Sequence, residues 1–282
     1  MGDLYFGLLF LAALSAALFG VGRTIGRRVS VRAVNRLSVL TVVALIAYIA
    51  CVWDQTALVR WLPFSNLIVV GNWFPFESAL LGGLASAQSS MPAWRRGLTV
   101  TALQLAGVFV VLSPLMGTAP RCGHAWSEGV CLQTTKQTCS AASAATLLQM
   151  HGIPATEQEM ADLCLTRRGT NWMGLYRGLK KKTAGTEWDV EVFTGSADEL
   201  HSLGAPAILS VGLSRLAQAD PLYQTELGWT PGVRHSVVLL GFVTDLVEIG
   251  EPTPDAGRER WTNDDLQELY LGQGMRLVRR AK

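Results

Sequence analysis

The strongest limit on what this chain can fold into is a set of uncharged apolar runs crowded into its first 117 residues. Leu4–Val21, Leu37–Trp53 and Gly97–Gly117 contain no Asp, Glu, Lys or Arg. A helix that crosses a hydrocarbon core of about 30 Å needs about 20 such residues, because peptide groups find no water there. Ser65–Gln88, third in chain order, is also mostly apolar but carries Asn66, Asn72, Pro75 and Glu77. Pro75 predicts a break, with Asn66–Asn72 as an interfacial or re-entrant piece and Pro75–Gln88 as the membrane helix. Residues 1–117 are therefore expected to be an all-α transmembrane bundle of four spans, and 118–282 a separate domain.

Charge orients the bundle. Residues 1–117 hold eight Arg against Asp3, Asp54 and Glu77, a net +5, whereas 118–282 hold 16 Lys or Arg against 19 Asp or Glu, a net −3. Arg23, Arg27, Arg28, Arg32 and Arg36 lie between spans one and two, and Arg95 and Arg96 between three and four. Only Arg60 lies between two and three. The positive-inside rule makes the Arg-rich loops cytoplasmic and puts everything after residue 117 on the far side of the membrane. Trp53, Trp61, Trp73 and Trp94 fall at span edges, as an aromatic belt would. A cleaved signal peptide fits the first run poorly, since no basic segment precedes it. Glu77 has two readings: a mark of a transport or substrate pathway, or a carboxylate in the first turn of a helix opened by Pro75.

Only 16% of the chain is charged, against roughly a quarter in soluble proteins. That excludes disorder and a purely soluble enzyme. The basic surplus sits between apolar runs and not along an aromatic-bearing groove, which argues against nucleic acid. No GxxxxGK[ST] loop occurs, so no ATP hydrolysis is expected. Internal repeats and paired intramembrane charges, the marks of a transporter, are missing too.

Beyond Gly117 the pattern becomes mixed α and β. Helices are predicted over Cys139–His151, from a capping box at Thr156 to Leu165, from a Thr170 cap to Lys182, and over Asn263–Tyr270 behind Thr262. Strands are predicted at Trp188–Thr194, Ala207–Gly212, Arg234–Gly241, Val243–Ile249 and Met275–Val278. Helices first and a strand meander afterwards predict an α+β domain with an antiparallel sheet.

Five cysteines divide by context. Cys51 and Cys164 read as buried small apolar residues. Cys122 and Cys131, nine apart just after the membrane, predict a disulfide in an oxidising compartment; zinc held by Cys122, His124 and Cys131 is the competing reading. Cys139 opens a helix, where free N–H groups and the positive end of the helix dipole stabilise a thiolate. A cysteine there is also often structural, so its partners must decide. Of the four histidines, His124 neighbours the expected disulfide, His151 ends the Cys139 helix about 18 Å from its start, and His201 lies on a polar helical face. His235 begins an apolar strand, and a hairpin turning near Phe242–Asp245 returns Glu251 to its neighbourhood. Cys139, His235 and Glu251 thus form a nucleophile, a base and an orienting acid.

The stretch Gln133-Thr134-Thr135-Lys136-Gln137-Thr138-Cys139 with Ala141-Ala142, and His235-Ser236-Val237-Val238-Leu239-Leu240-Gly241-Phe242 with Glu251-Pro252, resemble the motifs of the bacteriocin-processing, double-glycine leader type cysteine peptidases, family thirty-nine of that class. The resemblance covers about residues 126–280. It implies a papain-like fold, with Cys139 as nucleophile, His235 as general base and acid, Glu251 as orienting acid and Gln133 as oxyanion donor. Together with the spans it leads to the expectation of a cysteine endopeptidase in a bacterial inner or cytoplasmic membrane, acting outside the cytoplasm on a secreted or membrane polypeptide, with no cofactor. The chain departs from the family in carrying Glu251 where Asp is usual, with Asp245 and Asp255 in reserve, and Thr138-Cys139-Ser140 where Asp-Cys-Gly is common. Its Leu213–Val233 loop, with Pro221, Tyr223 and Trp229, is longer and could act as a lid. The best-known relatives place this domain in the cytosol ahead of an ATPase; here it follows the spans. Four spans exceed an anchor's needs and point to a membrane protein partner or a docking surface. The alternatives are an inactive peptide-binding pseudo-peptidase and a thiol transpeptidase or amidase.

Overall fold

The computed structural model describes residues 2–53, 57–215, 221–225 and 227–280 and divides into two compact units, Met1–Met116 and Gly117–Lys282. Unit one is all helix: α1 Gly2–Arg28, α2 Val31–Cys51, α3 Ala57–Trp61, α4 Leu67–Val70, α5 Phe74–Ser86 and α6 Ala93–Leu112. Among the described residues, four helical stretches are long and apolar enough to cross a membrane: Gly2–Arg28, Val31–Cys51, Leu67–Ser86 and Ala93–Leu115. The third is interrupted between α4 and α5 at residues 71–73. Pro75 falls in the first turn of α5, where its missing N–H would have no partner in any case. Glu77 lies in the same turn.

Small residues let these helices touch. A Cβ on Gly83 of α5 would sit 2.2 Å from the Phe19 carbonyl oxygen of α1, and one on Gly22 of α1 2.5 Å from that of Leu80. Such close backbone approach is how helices associate in lipid, where apolar burial gives no advantage. Many large apolar side chains point outward: Leu9, Leu40, Leu105 and Phe109 are all more than 60% exposed.

Unit two opens with a short hairpin, β1 Trp126–Ser127 and β2 Val130–Cys131. Then come α7 Cys139–Met150, α8 Glu157–Leu163 and α9 Trp172–Lys182. Thr156 caps α8 by accepting from the Glu159 N–H at 3.1 Å. Asn171, not Thr170, caps α9: its side chain accepts from the Met173 N–H at 2.8 Å, while the Thr170 hydroxyl is paired with that of Thr166.

The rest of the unit is β3 Trp188–Thr194, α10 Ala197–Leu203, β4 Ala207–Val211, α11 Pro221–Thr225, β5 His235–Val243, β6 Leu246–Glu251, β7 Gly257–Thr262, α12 Asn263–Leu269 and β8 Tyr270–Arg279. These strands form one antiparallel sheet in the order β3-β8-β4-β5-β6-β7. The meander holds from β4 to β7. The last strand, however, starts at Tyr270, runs through the segment expected to lead into it, and inserts between β3 and β4. β7 was hidden by its charges: Arg258, Glu259 and Arg260 sit on an edge strand, where charge discourages further pairing.

Leu209, Val211, Val237, Leu239, Val247 and Ile249 project from alternate positions of β4, β5 and β6 into one core with Leu200, Leu266 and Leu269. Against β5 packs α7, a helix of small residues whose Ala141, Ala142, Ala144, Ala145, Leu147 and Leu148 are fully buried. This packing brings the first turn of α7 to the start of β5.

Candidate active site

Cys139 is the first residue of α7. The preceding Thr138 does not cap the helix: its hydroxyl accepts from the Thr135 N–H at 3.1 Å and donates to the Thr135 carbonyl at 2.9 Å. The positive end of α7 is therefore not neutralised by its own cap and faces the sulfur. Burial pushes the Cys139 thiol up, but a hydrogen bond with His235, that ring's charge, the Ser236 backbone and the Ser140 hydroxyl outweigh it and hold the thiol below its ordinary pKa.

His235 is the first residue of β5, paired with Val211 on β4. The β5–β6 hairpin pairs Val238 with Gly250 and turns between Val243 and Leu246, which returns Glu251 to the start of β5. His235 Nε2 and Glu251 Oε1 are 2.7 Å apart, which leaves Nδ1 as the nitrogen for the thiol. Burial would lower the His235 pKa; its hydrogen bonds and charge interactions with Cys139 and Glu251 raise it instead. Glu251 is only 6% exposed. Burial works to raise its pKa, but His235 and two bonds from Thr253, from the N–H at 2.9 Å and the hydroxyl at 2.5 Å, hold it below the usual carboxylate range. The structure thus brings Cys139, His235 and Glu251 together in surroundings that shift each toward its charged form. Asp245 and Asp255 lie in exposed turns.

Gln133 follows β2. Its N–H donates to the Pro252 carbonyl at 2.6 Å, next to Glu251, and its side-chain Oε1 is buried with no partner among the described residues. Thr134 beside it is clasped by the buried Glu157 carboxylate, which accepts from its N–H at 2.7 Å and its hydroxyl at 2.6 Å.

Several contacts at the site carry no sequence signal. The Ser140 and Ser236 hydroxyls lie 2.8 Å apart, and Ser143 donates to the Ser236 carbonyl at 3.0 Å, so the residues after the cysteine and after the histidine are tied directly together. Trp229 meets the His235 ring edge-to-face at 6.0 Å. It belongs to the long 213–233 loop, of which 216–220 and 226 lie outside the described residues. The composition of that loop hinted at a role, but which aromatic would reach the ring depends on the loop's path. The other histidines are elsewhere: His151 Nδ1 is 2.8 Å from the Leu147 carbonyl oxygen, and His201 stacks on Phe242 at 4.0 Å.

The expected Cys122–Cys131 disulfide is not formed; both are free thiols. Burial pushes Cys122 up to about 11 and Cys131 up to about 12, and the Glu157 charge beside them adds to both shifts. A disulfide forms through a thiolate, which these surroundings disfavour. Among the described residues no cluster of three His, Cys, Asp or Glu could hold a metal, so Cys122, His124 and Cys131 do not make one.

No family model matches the chain, and a search of curated proteins finds no match. Solved structures do match it. The peptidase domain of Streptococcus ComA, a bi-functional ABC transporter of a quorum-sensing pathway, is 18% identical over 54% of this chain and 98% of its own, with a TM-score of 0.42. A double-glycine motif protease from an AMS/PCAT transporter, in complex with the leader peptide, is 16% identical over 58% and 95%, with a TM-score of 0.41. A peptidase from Bacillus anthracis described as like those of family thirty-nine is 18% identical over 59% and 100%, with a TM-score of 0.42. These are domains of the family that the motifs around Cys139 and His235 resemble.

Proposed function

We propose that this chain is a membrane-anchored cysteine endopeptidase that cuts a secreted or membrane polypeptide. One observation carries the reading: His235 stands between Cys139 and a buried carboxylate 2.7 Å from its Nε2. That arrangement makes sulfur a nucleophile near neutral pH and places an acid where a leaving amine needs one.

The Cys139 thiolate attacks the peptide carbonyl, and the oxyanion is met by the Gln133 amide and the Cys139 backbone N–H. His235 gives its Nδ1 proton to the leaving nitrogen, with Glu251 holding the ring. The neutral ring then takes a proton from water, which hydrolyses the acyl-enzyme and restores the ion pair. Ser140 and Ser236 keep the two reacting groups in register. The Arg clusters at the α1–α2 junction and the head of α6 support a topology with the 117–282 unit outside the cytoplasm. Substrate would then be met after export or at the outer leaflet.

Cys139→Ala is the test. Loss of cleavage in the variant, with labelling of the wild-type Cys139 by an electrophilic probe, is the expected result. Cleavage that survives the substitution would refute the proposal. Labelling without hydrolysis, with an acyl group transferred to an added amine, would identify a transpeptidase.

A further inference from the structure

A cavity of about 690 Å³ begins at the imidazole. Its walls include His235, Glu251 and Thr253, but neither Cys139 nor Gln133, and it extends between the loop ahead of β5 and the β7–α12 corner. Trp229, Trp261 and Tyr223 line its depth.

The carboxylates in its walls are already engaged. Glu259 accepts from the Trp261 indole N–H at 3.0 Å, and Asp265 from the Tyr223 hydroxyl at 2.7 Å. Aromatic surface, beside Thr230, Thr253 and the exposed Arg260, is left to face a ligand. At the mouth, Leu227 and Val233 are 56% and 57% exposed. Among the described residues of unit two, six large apolar side chains are exposed, and the loop ahead of β5 supplies three of them, Leu222, Leu227 and Val233. Apolar side chains left in water beside an aromatic cavity are covered favourably by an apolar ligand.

The chemistry fixes which half of a substrate comes here. Thiolate and oxyanion donors hold the acyl half, whereas the imidazole protonates the leaving nitrogen. The chain after the scissile bond therefore starts at His235, and a cavity that begins at His235 and excludes Cys139 receives it. We propose that this cavity is the leaving-side subsite, and that the substrate carries a large apolar or aromatic residue within the first two positions after the cut. The assignment rests on the peptidase reading above, and 690 Å³ is ample for such a side chain.

Two measurements on the full chain in detergent separate the assignment from that reading. Internally quenched peptides varied only at the two positions after the bond should show kcat/KM at least about tenfold higher with Trp, Phe or Leu than with Ala or Asp. Leu227→Asp and Val233→Asp, changes at exposed positions, should reduce that ratio to about twofold, with circular dichroism verifying the fold. Binding is read without turnover in Cys139→Ala by titrating the leaving fragments Leu-Ala-Ala amide and Asp-Ala-Ala amide against tryptophan fluorescence. The Leu fragment should bind at least about tenfold more tightly, and less so in the Asp variants. If nothing is cut but the Leu fragment binds as stated, the peptidase reading falls and the cavity stands as a site selective for apolar peptide residues, without its leaving-side role. Selectivity confined to residues before the bond, or equal binding of the two fragments, would overturn the subsite.

Discussion

The two units of this chain use the same apolar residues in opposite ways. In residues 1–116 many large side chains face out, as with Leu105 and Phe109, and glycines such as Gly22 and Gly83 mark where α1 and α5 touch. In residues 117–282 Leu147, Leu209, Val237 and Ile249 are buried, and glycine serves mainly turns. The difference is one of solvent. Water drives large apolar groups inward, whereas lipid is indifferent to them and leaves close packing and hydrogen bonds to hold helices together. Chemistry follows the same division: Cys139, His235 and Glu251 lie together in unit two, where α7 packs on β5.

The comparison can be broken in several places. The largest effect expected is that of His235→Ala, which should lower the cleavage rate by about 10²–10⁴-fold without altering the helicity of unit one; kinetics and far-UV circular dichroism read the two. Next is core truncation. Leu209→Ala should cost about 2–5 kcal/mol of unit-two stability, whereas Leu105→Ala, facing outward, should stay within about 0.5 kcal/mol; denaturation in detergent compares them. Gly83→Leu reverses the logic, because a side chain there collides with the Phe19 carbonyl. It should cost about 1–3 kcal/mol in unit one, read as a lowered Tm with Cys139 alkylation unchanged.

Titration separates the units further. Glu251 is held below its ordinary pKa, so its contribution to stability is present above about 4.3 and is lost as pH falls through the depressed value. His235 is held above its own, so its contribution is present below about 6.5 and is lost as pH rises through the raised value. The unfolding temperature of unit two should therefore fall on both sides of a mildly acidic plateau, between about 4.3 and about 6.5, and Glu251→Gln should remove much of the acid limb. Smallest of all, Asp245→Ala should change activity by less than about twofold, since that residue lies in an exposed turn.

Much of this was legible in the sequence, for identifiable reasons. Uncharged runs of span length and a proline fixed the helices of unit one, and alternating Val, Leu and Ile marked β4, β5 and β6. Glu251 near His235 followed from hairpin counting alone, because strand pairing converts sequence distance into spatial proximity. The insertion of β8 between β3 and β4 had no local signal, since strand order is set by packing over the whole domain. β7 was concealed by the charges that suit an edge. The Ser140–Ser236 tie spans 96 residues, and only the docking of α7 on β5 reveals it. The disulfide was inferred from spacing, which is blind to the burial that, with the Glu157 charge beside it, pushes both thiols up.

The central claim, that Cys139 is a nucleophile because His235 and Glu251 make it one, is tested most directly by the rate of Cys139 alkylation by iodoacetamide as a function of pH. The account predicts that the wild-type thiol stays reactive well below the ordinary cysteine value of about 8.5, and that His235→Ala moves the curve up toward that value. Coincident curves for the two proteins, both following an ordinary thiol, would contradict it.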